Sequence, residues 1–264
     1  MRRATRKIGF WVFVAMVAWY AIGNAALGAL SKHYVEIARQ AHKDAQSFPM
    51  DAVKTVHIDQ ANRQGFQSLN IIFDANSTLA VVSNKNLTVK VEGHAADGAL
   101  TIHVSGIANR QDGYSNFPIE LHVPASVQSF DVDYVGEISI AGRLPDLQPM
   151  VTMNLASCGS VLDVGDFSVG HFQLNVACES DSVKHPANTV GSSGFTPYAH
   201  SRSQPQVNFL KNARINQLDV RMQVGNLIFH SERIPDAVRL ELGKATDLDA
   251  KLPFLQVAKL FELD

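Results

Sequence analysis

Apolar and polar residues alternate in five short segments of the chain, and the segments resemble one another. Each segment has three apolar residues separated by single polar or small residues. Alternation with a period of two places the apolar side chains on one face of a β-strand. The segments start at positions 130, 151, 172, 218 and 238. They are Phe130-Val132-Tyr134, Val151-Met153-Leu155, Phe172-Leu174-Val176, Leu218-Val220-Met222 and Val238-Leu240-Leu242.

A repeat of about 20 residues, each carrying such a strand, predicts a coil that stacks on its neighbours and buries the shared apolar face. Most units also have a glycine after the first strand, where positive φ suits a corner, and then a second short apolar strand. We therefore predict a mainly β protein, a single-stranded right-handed β-solenoid with coils of about 20–21 residues; an antiparallel sandwich is the alternative. The glycines are Gly136, Gly159, Gly225 and Gly243, and the second strands hold Ile138 and Ile140, Val161, Leu227 and Phe229, and Leu248.

The N-terminus has four basic residues among its first seven, and residues 8–30 follow without a charged side chain. A basic start before an apolar run is typical of a membrane anchor or a secretory signal. A run of this length is enough to span a bilayer, while small residues at 23–28 leave a cleaved signal as the alternative. We expect a transmembrane helix within residues 1–30 that anchors a single-pass protein in a bacterial inner membrane, with its β domain in the periplasm.

Two further regions follow the anchor, a stalk at residues 31–52 and the β domain at residues 53–264. Residues 184–206 are rich in Ser, Gly, Pro and His and lack an apolar period, so we interpret them as an inserted loop that explains the long step between the third and fourth segments.

The first part of the domain is expected to cap the solenoid, since a bare end would expose strand edges. Its predicted strands cover residues 56–58, 69–73, 79–82, 87–91, 100–104 and 119–123.

Few residues suggest a catalytic or metal site. His103 and His122 lie on the polar faces of predicted strands, but two histidines do not complete a metal site, which normally has four ligands. The Asp-x-Asp pairs at 131–133 and 247–249 would suit Ca²⁺ or sugar chemistry, although a solvated strand surface has the same pattern. We therefore expect no catalytic residue, no metal and no cofactor. The nearly balanced net charge of −2 argues against nucleic acid as a partner.

Cys158 and Cys178 are the two cysteines of the chain, and they are candidates for a disulfide. A domain outside the cytoplasm meets an oxidising compartment, in which disulfides persist. Their separation along the chain nearly matches the local period, so adjacent coils would bring them to a strand spacing of about 4.8 Å, which suits a disulfide. The mismatch of one residue would send the two side chains of a regular strand to opposite faces. Two buried free thiols are the alternative.

The strand–glycine–strand rhythm resembles the auto-transporter adhesin head domain family, also called the GIN domain. The rhythm is clearest at residues 130–142, FDVDYVGEISIAG, and at 218–229, LDVRMQVGNLIF, and the resemblance covers residues 53–252. It implies a β-solenoid of an envelope-anchored or secreted bacterial protein, and it assigns no functional residue. The chain departs from the family in its fewer glycine corners and in the insertion at 184–206.

Together these observations favour an envelope-anchored, extracytoplasmic binding or structural module that is adhesin-like and not catalytic. Its partners would be the inner membrane, through the N-terminal helix, and an envelope protein or polysaccharide. Two other functions fit the same pattern. One is a carbohydrate-active β-helix enzyme, a lyase or hydrolase, that acts on envelope polysaccharide. The other is a partner-binding stalk protein of an envelope complex.

Overall fold

The computed structural model describes residues 46–49, 53–60, 68–74, 78–82, 88–94, 98–105, 119–133, 135–144, 150–156, 160–177 and 204–263. These residues form a mainly β structure, in which fifteen strands make one open and largely parallel sheet. The strands are β1 (Gln46–Pro49), β2 (Thr55–Gln60), β3 (Ser68–Asp74), β4 (Thr78–Val82), β5 (Thr88–His94), β6 (Ala99–Ser105), β7 (Ile119–Pro124), β8 (Ser129–Asp133), β9 (Glu137–Arg143), β10 (Val151–Ala156), β11 (Val161–Ala177), β12 (Gln206–Phe209), β13 (Arg214–Phe229), β14 (Ala237–Ala250) and β15 (Ala258–Leu263), and one helix, α1 (Leu252–Val257), lies between the last two.

The sheet folds into two layers, because β11, β13 and β14 are long enough to run through both. Apolar side chains alternate inward from each layer and meet between them. In order, the front layer consists of β5, β6, β2, β8, β10, the second half of β11, the first halves of β13 and β14, and β15; the back layer consists of β1, β4, β7, β3, β9, the first half of β11, β12, and the second halves of β13 and β14.

The strand register confirms most of the predicted repeat. In the front layer Met153 pairs with Leu174, Leu174 with Val220, and Val220 with Leu240, and each of these is the middle residue of its predicted segment. The predicted spacing between the first and second segments is wrong. The repeat aligns Phe130 with Val151, whereas in the sheet Phe130 pairs with Met153. The shift of two residues keeps the same face inward, because side chains alternate with a period of two.

The six strands predicted in the first part of the domain all form, as β2 to β7. One of them, β5, forms an edge of the sheet as an antiparallel cap on β6, whereas β4, which is antiparallel to β7, is itself covered by β1. In the back layer the predicted inward position of Val161 is wrong: Leu162 and Val164 are buried, whereas Val161 is half-buried and pairs with the exposed Glu137. Valine is common on both faces of a strand, so the alternation of apolar and polar residues did not determine which face Val161 occupies.

Seven phenylalanine rings form a continuous chain through the space between the layers, and we call it the aromatic spine. Successive ring centroids are 5.7, 5.7, 5.6, 6.3, 5.4 and 4.0 Å apart. All seven rings are at most 5% exposed. Aromatic pairs at such separations stabilise a core by about 0.5–1.5 kcal/mol each beyond the area they bury. In order the rings are Phe130, Phe73, Phe167, Phe172, Phe209, Phe229 and Phe254.

Helix α1 closes the C-terminal end of the spine. The helix has a proline in its first turn, where a missing N–H costs nothing, and its Phe254 stacks on Phe229. The sequence predicts a closing strand or an amphipathic cap here, and the structure contains both a helix and a strand. Phe254 is buried, whereas Leu255, Leu260 and Phe261 are exposed.

Gly142, Gly225 and Gly243 permit close approaches of neighbouring segments, since a Cβ at any of the three would lie under 3.0 Å from another residue. Gly225 has φ of +123° and confirms a predicted corner, whereas Gly136 has no positive φ. Gly142, which the repeat did not single out, has φ of +108°, and a Cβ there would lie 2.8 Å from the Cβ of Phe73. No real Cβ comes so close to another atom without a shift in the structure, so a side chain at this position would disturb the aromatic spine.

Several predictions lie outside the described residues, namely the anchor, most of the stalk, Cys158, Cys178 and most of the insertion. Strand β1 lies within the segment predicted as a stalk, and it pairs with β4. The described chain leaves the front layer at Ala177 and re-enters the back layer at β12, so the insertion connects these two points. In the residues that the structure describes, no helix has the length and apolar character needed to cross a membrane.

The strand phase can be tested by placing a charge on either face of the front layer. Leu174 is fully buried, so Leu174→Asp should lower the free energy of unfolding by at least about 3 kcal/mol, since it buries an unpaired charge. Thr152→Asp is the matched control, because Thr152 faces outward between the uncharged Ser129 and Gln173. Its effect should stay within roughly 0.5 kcal/mol in chemical denaturation. Equal losses in the two variants would show that the phase is wrong.

Candidate functional site

A column of polar side chains runs across the outer surface of the front layer, and we call it the front ladder. The column follows from the register, because inward positions are apolar and the residues between them project outward. Each strand contributes one outward residue to the column, and we call that position a rung. Neighbouring rungs of a sheet lie about 4.8 Å apart, which is close enough for side chains on adjacent strands to bond. From β6 to β14 the column contains Thr101, His57, Asp131, Asn154, Asn175, Arg221 and Glu241.

Hydrogen bonds join the first half of the front ladder. The carboxylate of Asp131 accepts from Asn154 Nδ2 at 2.6 Å and lies 2.7 Å from His57 Nδ1. Asn154 Oδ1 in turn accepts from Asn175 Nδ2 at 2.7 Å. Each amide therefore donates to the rung before it, and four consecutive side chains hold one another in fixed positions. Such a network orders the surface more than its members would separately.

The ladder is interrupted between Asn175 on β11 and Arg221 on β13. These residues are register partners, yet no hydrogen bond joins their side chains among those described. A shallow groove of about 340 Å³ opens here, and a second depression of about 420 Å³ adjoins it around Gln223. The polar side chains that line the first groove are Gln173, Asn175, Asp219, Arg221, Arg239 and Glu241.

Opposite charges alternate over the groove, and most are paired. Arg239 Nη2 donates to Glu241 Oε1 at 2.6 Å, and the Arg239 guanidinium also lies 5.1 Å from the centre of the Phe261 ring. On the other side, Asp219 Oδ2 lies 2.8 Å from His171 Nε2. Exposed pairs of this kind stabilise a fold by at most about 1 kcal/mol, so their main effect is to fix where the charges stand.

The back layer has shorter polar contacts of the same type. Asn208 Nδ2 donates to Asp163 Oδ1 at 2.7 Å, and Ser139 Oγ donates to Asn70 Oδ1 at 2.7 Å. These bonds join two rungs each, whereas the front ladder joins four. The front layer is therefore the more ordered polar surface of the part that the structure describes.

The structure does not bring the predicted histidines together. His103 lies on β6 in the front layer and His122 on β7 in the back layer, and these strands are not neighbours. His103 lies 3.6 Å from Glu92, and His122 lies 3.5 Å from Glu120 and 3.8 Å from Asp74. Among the described residues, no group of three or more His, Cys, Asp or Glu side chains is arranged to hold a metal ion.

The predicted carboxylate pairs have different surroundings. Asp131 is part of the front ladder, where it accepts hydrogen bonds from its neighbours, and its pair member Asp133 is half-buried. Asp247 and Asp249 are exposed on the back layer, where Asp249 lies 3.6 Å from His230. The two pairs therefore lie on opposite layers, and neither lines the groove.

Sequence reasoning missed the groove, whose residues come from three strands. The alternation places Gln173, Asp219 and Arg239 on outward positions, and this is the one signal that could have found them. Their proximity depends on the pairing of β11 with β13, which lie on either side of the insertion in the chain. That pairing becomes visible only when the register is known.

Comparisons with known proteins do not identify a family. No protein-family model matches this chain, and no curated protein matches it in sequence. One similar solved structure is a putative cell adhesion protein from Clostridium sporogenes, at 9% identity and a TM-score of 0.27. Another is a putative lipid binding protein from Parabacteroides distasonis, at 8% identity and a TM-score of 0.26. Each match covers 83% of this chain and 96% of the other.

The front ladder can be tested at Asp131, which joins two rungs. Asp131→Ala removes the acceptor for His57 and Asn154, so the free energy of unfolding should fall by about 0.5–1.5 kcal/mol. The loss is modest because both His57 and Asp131 are partly exposed. Asp247→Ala removes an exposed carboxylate with no such role and should change stability by less than roughly 0.5 kcal/mol. Chemical denaturation at one pH measures both, and indistinguishable values would contradict a stabilising ladder.

Proposed function

We propose that this chain is an envelope-anchored binding module that attaches to polysaccharide through its front layer and performs no catalysis. Residues 1–30 would span a bacterial inner membrane, and the segment between them and β1 would carry the β domain into the periplasm. The basic start and the uncharged run at 8–30 support this topology. The parallel stacking of successive units supports a right-handed β-solenoid of the adhesin head type, in which consecutive coils follow the right-handed connection that parallel strands prefer.

The observation that carries the proposal is the ordered polar surface of the front layer together with the groove that adjoins it at β11 and β13. Sugar hydroxyls both donate and accept hydrogen bonds, and side-chain amides do the same. Gln173 and Gln223 beside the groove make no side-chain hydrogen bond to the described part of the chain, so their amides are available to a ligand. Polar rungs repeated at strand spacing provide a long, flat surface, which suits an extended polymer better than a compact molecule.

The charges in the groove favour a binding function over the alternative of a carbohydrate-active enzyme. Cleavage of a glycosidic bond generally uses one carboxylic acid and one carboxylate on either side of the bond. In this groove, Glu241 is hydrogen-bonded to Arg239, and Asp219 lies within bonding distance of His171. Both carboxylates are thus in contact with neighbouring basic side chains and do not stand free on either side of a ligand.

The proposal can be tested by measuring the affinity of the full chain, purified in detergent, for solubilised bacterial envelope polysaccharides. The double variant Gln173→Ala/Gln223→Ala removes two amides that bond to nothing in the described fold. Two lost hydrogen bonds should weaken binding by roughly 5- to 100-fold. Isothermal titration calorimetry measures the affinity, and circular dichroism checks that the fold is unchanged.

The matched control is Gln128→Ala/Gln217→Ala, which removes two uncharged amides that do not line the groove. This control should bind like the unmodified chain. Polysaccharide binding that is equally weakened in both double variants would place the site elsewhere. Absence of binding to every polysaccharide tested would refute the proposed function.

A further inference from the structure

At the interruption of the front ladder, the guanidinium of Arg221 makes no hydrogen bond to the residues that the structure describes. Arg221 is 62% exposed, and its one polar contact in the described chain joins its Nε to Glu241 Oε2 at 3.8 Å. That distance is too long for a hydrogen bond. An arginine side chain has five N–H donors in a planar fork, so all of them are available at the surface of the groove.

The carboxylates near Arg221 are already engaged by other groups. Glu241, which is 24% exposed, accepts its short hydrogen bond from Arg239, and Asp219 lies 2.8 Å from His171. On the next strand, Lys259 is the register partner of Arg239 and adds another positive charge beside the groove. The charged residues that line the groove are balanced, with Arg221 and Arg239 against Asp219 and Glu241, and Lys259 adds a positive charge at its edge.

An acceptor is also available on the other side of the interruption. Asn175 donates its amide hydrogen to Asn154, and its own Oδ1 accepts no hydrogen bond from the described residues. Asn175 and Arg221 are register partners on adjacent strands, so the free acceptor and the free donors lie at neighbouring rungs. A ligand that joins them would need an anionic acceptor group next to a hydroxyl donor.

We propose that Arg221 binds a sugar carboxylate, so that the ligand of the groove is an acidic, uronic-acid-containing polysaccharide. This inference rests on the proposed function and specifies the chemistry of its ligand. The carboxylate accepts a forked pair of hydrogen bonds from the Arg221 guanidinium, the strongest arrangement for these two groups. A hydroxyl on the same sugar donates to Asn175 Oδ1, and the bound sugar thereby restores the interrupted ladder.

The neighbouring charges favour a carboxylate over a phosphate. A phosphate monoester carries more than one negative charge at neutral pH, and Asp219 and Glu241 on either side of Arg221 would repel the second charge. A carboxylate carries one charge, which the Arg221 guanidinium can neutralise alone. A neutral sugar would leave the fork of Arg221 without an ionic partner.

The test compares a hexamer of galacturonic acid with its fully methyl-esterified form, using the full chain in detergent and isothermal titration calorimetry. The acid should bind more tightly than the ester by roughly tenfold or more, since charge-assisted hydrogen bonds are about twice as strong as neutral ones. Arg221→Gln should abolish this preference, whereas Arg221→Lys, which keeps the charge but not the fork, should retain only part of it. A phosphorylated glycan of similar length serves as the second anionic probe.

Arg214→Gln is the matched control, since Arg214 is an exposed arginine on the same strand and lines neither depression. It should keep the preference for the acid. Equal binding of acid and ester, an unchanged preference in Arg221→Gln, or tighter binding of the phosphorylated glycan would overturn the carboxylate assignment but leave polysaccharide binding intact. Failure of all three probes together with all envelope polysaccharides would refute both proposals.

Discussion

Burial of the aromatic spine between two layers of one sheet is the interaction on which the rest of this structure depends. No single unit of about 20 residues can cover its own apolar face, so each must stack on the next. Rings such as Phe73 and Phe130 come from opposite layers, and their contact fixes how the layers face each other. Full burial of each ring contributes roughly 1.5–3 kcal/mol. At Gly142 the backbone packs so closely against Phe73 that there is no room for a Cβ atom.

The inward packing determines the outward surface. Once Leu174 and Val220 face the core, Asn175 and Arg221 must face solvent on adjacent rungs. Amide rungs bond to one another and make an ordered, uncharged platform, as between Asn154 and Asn175. On the next strand the amide is replaced by the guanidinium of Arg221, and the series of side-chain hydrogen bonds ends there. The same stacking that stabilises the fold thus creates both the ordered platform and the polar gap within it.

The alternation of apolar residues was sufficient to predict the strands and the inward face of most of them, because period two is a local property. It could not give the full register: Phe130 pairs with Met153 and not with Val151, since the length of a corner has no signature in the alternation. The site was less predictable than the fold. Gln173, Asp219 and Arg239 were recognisable as outward residues, but their proximity depends on strand pairing across the insertion, which is a tertiary property.

The most direct test of this account is the pairing of β11 with β13 that creates the groove. Cysteines at Asn175 and Arg221, which are register partners, should form a disulfide under mild oxidation, because adjacent strands lie at a suitable spacing of about 4.8 Å. Cysteines at Asn175 and Gln217, four residues out of register, should not. Proteolysis and mass spectrometry of the unreduced chain identify the linked peptides. A link in the second pair without one in the first would contradict the register and the site built on it.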